Sequence, residues 1–139
     1  MHARIEWQGK VQFKAESGSG HTVLLDGAPD AGGVNAGARP MELVLMGLGG
    51  CTSYDVVNIL TKSRQDVRSC VTELSADRAA STPQVFTRIH IRFIVTGENL
   101  DERKVARAVE LSAEKYCSAS IMLERGGVEI SHSFSIEKG

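Results

Sequence analysis

Apolar and polar residues alternate along the start of the chain. Ala3, Ile5 and Trp7 interleave with Arg4, Glu6 and Gln8, and Val11, Phe13 and Ala15 with Gln12, Lys14 and Glu16. A period of two marks half-buried strands, and Gly9 between the runs marks a hairpin. Residues 17–20 form a turn cluster, and residues 21–25 predict a third strand closed by Asp26-Gly27. Residues 27–38, rich in Gly, Ala, Pro, Asp and Asn, predict a flexible loop.

The pattern then changes. From Pro40, apolar residues recur at helical spacing through Met41, Val44, Leu45, Leu48, Val56, Ile59 and Leu60, while Leu43 and Met46 fill the opposite side. Pro40 and Glu42 suit a first helical turn, one by its missing N–H and the other by its charge. The helix is expected to end among residues 62–65. Its first half is apolar nearly all round, which predicts burial on every side. Gly47, Gly49 and Gly50 are poor helix formers, so three of them before Cys51 predict close approach of another backbone or a small molecule.

Strand patterns return at residues 67–78 and 87–95, where Ile89, Ile91, Phe93 and Val95 alternate with Arg88, His90 and Arg92. Asn99 reads as an N-cap with Glu102 as its capping-box partner. The helix that follows carries Val105, Val109, Ser112 and Tyr116 on one stripe and closes at Cys117. Ser118 reads as the cap of a short helix over residues 119–124, stopped by Gly126-Gly127. Residues 128–136 predict a last strand, with Val128, Ile130, His132, Phe134 and Ile136 on one face. The order is βββ-α-ββ-α-α-β, an α+β arrangement with the long central helix packed on antiparallel strands.

A length of 139 residues fits a single domain over 1–139. The apolar share of 42 % is enough for a core, and a net charge of −1 gives no reason to expect nucleic acid or an anionic membrane as partner. No apolar run reads as long enough to cross a bilayer, and the first residues lack a signal-peptide core. Cys51, Cys70 and Cys117 are odd in number and far apart, which fits thiols in a cytoplasm rather than a disulfide framework. An apolar-all-round helix in so small a chain needs a cover, and a second copy supplies one, so a homodimer is expected.

Cys51 and Cys117 are the leading candidates for chemistry, the second because it precedes a helix N-terminus that favours a thiolate. Space-filling is the competing role for both, and for Cys70 the better one. His90 reads as solvent-facing and His132 as a core histidine with a satisfied hydrogen bond. No cysteine–histidine spacing suits a metal, and no phosphate loop, nucleophile elbow or dinucleotide fingerprint occurs, so neither metal nor cofactor is expected.

Two stretches carry a resemblance. Arg-Pro-Met-Glu-Leu-Val-Leu-Met-Gly-Leu-Gly-Gly-Cys at 39–51 and Ala-Val-Glu-Leu-Ser-Ala-Glu-Lys-Tyr-Cys-Ser-Ala-Ser at 108–120 resemble the two cysteine motifs of the OsmC/Ohr superfamily, most of all its YhfA-like branch. The resemblance implies the OsmC-like fold, an intertwined homodimer and thiol-dependent reduction of organic hydroperoxides in oxidative or osmotic stress defence. Cys51 would attack the peroxide, Cys117 would resolve the sulfenic acid as a disulfide, and a dithiol would reduce it. Glu42, with Arg39 or Lys14 as its cation, would stand for the family's arginine–glutamate clamp, although the glutamate position directly after the proline is Met41 here. Met41, Leu45 and Leu48 would line an apolar substrate site. Two other readings stay open: a non-catalytic binding protein for a small apolar ligand, and a cysteine redox sensor.

Overall fold

A computed structural model describes residues 1–139. The elements are β1 (Ala3–Gly9), β2 (Gln12–Ser17), β3 (Thr22–Leu25), α1 (Pro40–Lys62), β4 (Asp66–Arg78), β5 (Phe86–Glu98), α2 (Glu102–Leu111), α3 (Ser118–Arg125) and β6 (Glu129–Lys138). This is the expected α+β order. Two short pieces join it: a 3-10 turn at Pro29–Ala31 and a π-helical segment at Ser112–Tyr116. The chain forms two compact units, Met1–Met46 and Gly47–Gly139, and α1 begins in the first and continues through the second.

The first unit is an antiparallel meander in the order β1-β2-β3, with Trp7 opposite Phe13 and Ala15 opposite Val23. Its apolar alternation sits uncovered: Ile5 is 58 % and Trp7 65 % exposed. The half-burial read from the sequence is therefore not supplied within this chain.

The loop after β3 is tied down rather than flexible. Asp26 is only 1 % exposed. Its carboxylate accepts the backbone N–H of Gly27, Val34 and Ala36 at 2.7, 3.1 and 3.0 Å, and the Gln12 side chain at 3.2 Å. Gly33 packs so closely on the Gly27 carbonyl that a Cβ would collide with it. The composition looked mobile because the loop has few apolar residues; a buried carboxylate organises it instead.

The second unit holds a sheet in the order β4-β5-β6. β4 and β5 are antiparallel, Leu74 opposite Ile91, whereas β6 runs parallel to β5, Ile91 opposite His132. A parallel partner requires a crossover connection, and α2, the π segment and α3 form it. Ile89, Ile91, Phe93 and Val95 are fully buried on one face. On the other face Arg88 and Arg92 pair with Asp77 and Glu73 across the β4–β5 ladder. His90 is half-buried there and bonded to Ser131 and Ser133 through both ring nitrogens, at 2.7 and 2.8 Å, rather than facing solvent.

Along α1, Leu48, Thr52, Val56 and Leu60 form one fully buried stripe, each a turn after the last. Gly49 faces Leu74 of β4, where an added Cβ would stand 2.8 Å from a leucine methyl. Gly47 and Gly50 face open space, so only one of the three glycines serves a close approach within the chain. The expected burial on every side is likewise incomplete: Met46 is 60 % and Tyr54 71 % exposed. By length and composition α1 could also cross a membrane, with a mean hydropathy of 1.4 over an 18-residue window. The core helix of a folded protein has the same length and composition.

Two N-terminal caps lie elsewhere than the sequence suggested. Asp101, not Asn99, caps α2 by accepting the Arg103 N–H at 2.9 Å. Asn99 has a φ of 52°, a left-handed turn residue that no N-cap adopts. Cys117, not Ser118, caps α3.

Three backbone N–H groups, with Ala36 foremost, hold the Asp26 carboxyl below its ordinary value of 3.8. A lowered native pKa contributes stability that is complete above the unfolded value and lost as pH falls through the native one. The melting temperature should therefore drop as pH is lowered below about 3.8 and lose part of that acid limb in D26N, which should already melt lower at neutral pH. Thermal unfolding of both proteins from pH 7 to pH 3, followed by circular dichroism, checks this.

Candidate functional site

The periodicity of α2 would carry Val105, Val109, Ser112 and Tyr116 on one face. Val105, Val109 and Ser112 are buried as expected, but Tyr116 is half exposed and Cys117 fully buried. The π segment explains the change. The Cys117 N–H bonds the Ser112 carbonyl five residues back, at 2.8 Å. A wider turn holds more residues, so the next side chain, and not Tyr116, rotates inward. Cys117 then turns into α3, its sulfur accepting the Ser120 N–H at 3.4 Å.

That rotation brings Cys117 to α1. The sulfurs of Cys51 and Cys117 and a carboxylate oxygen of Asp55 lie within 4.8 Å of one another. Both thiols are free, Cys51 half-buried and Cys117 fully buried. Asp55 follows Cys51 by four positions, which places both on one face of α1. Sequence reasoning missed it, although this spacing was its one available signal.

A chain of hydroxyls supports the cluster. Ser112 Oγ donates to Asp55 Oδ2 at 3.0 Å and lies 2.8 Å from Thr52 Oγ1. An ionised carboxylate only accepts, so Ser112 gives its proton to Asp55 and receives the Thr52 proton. Thr52 and Ser112 are fully buried, and each satisfies the other. The Ser120 hydroxyl, also fully buried, has no partner.

Electrostatics bear most clearly on the buried thiol. The Cys117 pKa is pushed up to about 12, chiefly by burial. The Ser120 N–H opposes this, and the neighbouring Cys51 and Asp55 add to it. The charged neighbour of the pair is thus an anion. Two sulfurs and a carboxylate are also ligand types that zinc accepts, a set that linear spacing did not reveal. Asp55 further lines a cavity of about 350 Å³ with Asn58, Ile59, Lys62, Ser63, Leu111 and Tyr116.

Arg39 and Glu42 are brought together with each other. Glu42 accepts the Arg39 N–H at 2.9 Å and its guanidinium at 3.2 Å, closing the first turn of α1 as a capping box does. Those bonds hold its carboxyl below the usual range. Leu48 is 1 % exposed and belongs to the buried stripe; Met41 and Leu45 are half-buried near the start of α1. Cys70, on β4 opposite Val95, is not part of the thiol cluster, and burial raises its pKa. His132 is half-buried, but its Nε2 lacks the hydrogen bond expected for a core histidine. Burial, with His90 a lesser influence, lowers its pKa.

A family model described as OsmC-like protein matches residues 32–133, which include both thiols and Asp55. The chain belongs to the OsmC family. Protein YhfA of Escherichia coli strain K12 is 48 % identical over 98 % of each chain. The crystal structure of a hypothetical protein from Aquifex aeolicus VF5 has a TM-score of 0.81 at 29 % identity, covering 98 % of this chain and 96 % of that one. The organic hydroperoxide resistance protein OhrB of Bacillus subtilis has a TM-score of 0.62 at 19 % identity, over 97 % and 98 % of the two chains, and shares the fold. This OsmC-family chain therefore carries its two thiols within the family fold, with Asp55 beside them.

Ser112→Ala removes the one side-chain donor to Asp55 and the acceptor of Thr52. Leaving such buried groups unpaired costs about 1–3 kcal/mol. Urea unfolding of S112A should show a lower midpoint with an unchanged slope.

Proposed function

We propose that the protein reduces organic hydroperoxides through Cys51 and Cys117. The observation that carries this reading is the approach of the two sulfurs to within 4.8 Å. Cys51 is the more accessible thiol and attacks. The peroxide O–O bond breaks, leaving a sulfenic acid on Cys51 and an alcohol. Cys117, buried and protonated at rest, then attacks that sulfenic acid; a disulfide forms and water leaves. A dithiol carrier restores both thiols by exchange. Family membership supports this redox reading, as does the printed name of OhrB, organic hydroperoxide resistance protein. Arg39 and Glu42 act in it as a helix-end pair rather than through any bond to sulfur.

The working form in this reading is a homodimer in the cytoplasm, serving oxidative or osmotic stress defence. The exposed Ile5, Trp7, Met46 and Tyr54, and the open face at Gly47 and Gly50, support a second copy as the cover. Nucleic acid and membrane play no part in it.

The experiment is consumption of tert-butyl hydroperoxide with a dithiol reductant. Wild-type protein should turn over, C51S should lose activity entirely, and C117S should accumulate a sulfenic acid that dimedone traps. Undiminished turnover by C51S rejects the reading. The cavity beside Asp55 favours a second one, a binding protein for a small ligand with Ile59 and Leu111 as its apolar walls. That reading expects a ligand-dependent rise in melting temperature that persists in the C51S/C117S double variant. It fails if no compound of a broad amphipathic set raises the temperature.

A further inference from the structure

Cys117 poses a problem for any reaction in which it attacks. It is fully buried, and its proton is held until about pH 12. At neutral pH a nearby group must take that proton as the new bond forms. Around it, Ser120 offers a backbone donor, and Cys51 is the other reacting atom. Of the other titratable residues of the cavity beside Asp55, Lys62 only donates, and Tyr116 is a phenol, a far weaker base than a carboxylate. No histidine belongs to the cluster. Asp55 is the carboxylate of the cluster, within 4.8 Å of both sulfurs, a span that one water can bridge.

Asp55 is also oriented for the task. The Thr52–Ser112–Asp55 chain engages Oδ2 from the protein side. That is how a supporting hydrogen bond aims a working carboxylate.

We propose that Asp55 is a catalytic proton carrier serving both thiols in turn. The proposal rests on the hydroperoxide reading given above. In the first step the Cys51 sulfur attacks a peroxide oxygen and the O–O bond breaks. The Cys51 proton passes to Asp55 and on to the departing alkoxide, giving Cys51 sulfenic acid and an alcohol. In the second step the Cys117 sulfur attacks the sulfenic sulfur and the S–O bond breaks. The Cys117 proton passes to Asp55 and on to the departing hydroxide, giving a disulfide and water. Asp55 ends each step as it began; the hydroperoxide is the oxidant and the two thiols are the reductant.

D55N keeps an oxygen for Ser112 and removes the base. After one equivalent of tert-butyl hydroperoxide, disulfide closure in D55N should be about 10²–10⁴-fold slower at pH 7, the usual contribution of general acid–base catalysis. The deficit should shrink as pH rises and hydroxide replaces the carboxylate. In the same variant Cys117 should alkylate at lower pH than in wild type, because a negative neighbour is gone. Easier ionisation with slower closure is a combination that a merely structural role does not produce. Added formate should speed closure in D55A, and D55E should retain part of the rate, so the inference stays testable if D55N folds poorly. A closure rate in D55N within threefold of wild type at every pH, or no response of D55A to formate, overturns it. If wild type forms no sulfenic acid with hydroperoxide, the hydroperoxide reading fails by itself. Diamide then serves as oxidant, since closure through Cys117 still requires loss of its proton. Equal diamide-driven closure in wild type and D55N overturns the role of Asp55.

Discussion

Two buried hydroxyls facing each other set the register of the thiol site. Thr52 follows Cys51 on α1, and Ser112 opens the π segment that ends just before Cys117. Neither side chain reaches water, so Thr52 depends on Ser112 for its hydrogen bond, and Ser112 on Thr52 and Asp55. Sliding one helix past the other by a residue would leave both unpaired, at a cost of about 1–3 kcal/mol for each stranded group. Apolar packing through Leu48, Val56 and Leu60 brings the elements together but tolerates small shifts better than a directional bond does. The hydroxyl pair selects one alignment, and in that alignment the sulfurs meet.

The site also departs from the usual way of activating a thiol. A cation or a helix N-terminus beside sulfur favours the thiolate. Here α3 supplies one N–H to Cys117, while the neighbouring side-chain charge is negative. A carboxylate in that place does not stabilise sulfur's charge; it competes with it for a proton. Such a site trades a standing thiolate for a proton acceptor kept in position by Ser112.

Alternation of period two made most of the strands legible, because a half-apolar strand shows its faces directly in the residue order, while the third was read from the turns that flank it. The long helix was legible for the same reason, and the meeting of Cys51 and Cys117 through the family motifs. What escaped depends on residues far apart in the chain. Asp26 looked like the end of a hairpin, since its role appears only when the backbone of residues 34–36 returns to it. The parallel placement of β6 follows from the crossover and leaves no mark in its own alternation. Asp55 drew no notice in the sequence; its meaning required the arrival of Ser112 and Cys117. The apolar faces of β1–β3 were legible as apolar, but their exposure in a single chain was not.

The π segment carries a consequence for how this protein tolerates change. Cys117 reaches the core because five residues, Ser112–Tyr116, occupy the turn before it, and most of their side chains stay near the surface. The spacing is therefore under a tighter constraint than the spelling. Exchanges among residues 113–116 leave the arc intact, whereas inserting one more residue would carry the helix about 100° further round before the cysteine. The helix would then turn its sulfur away and present a different atom to α1, disarming the site without touching either cysteine.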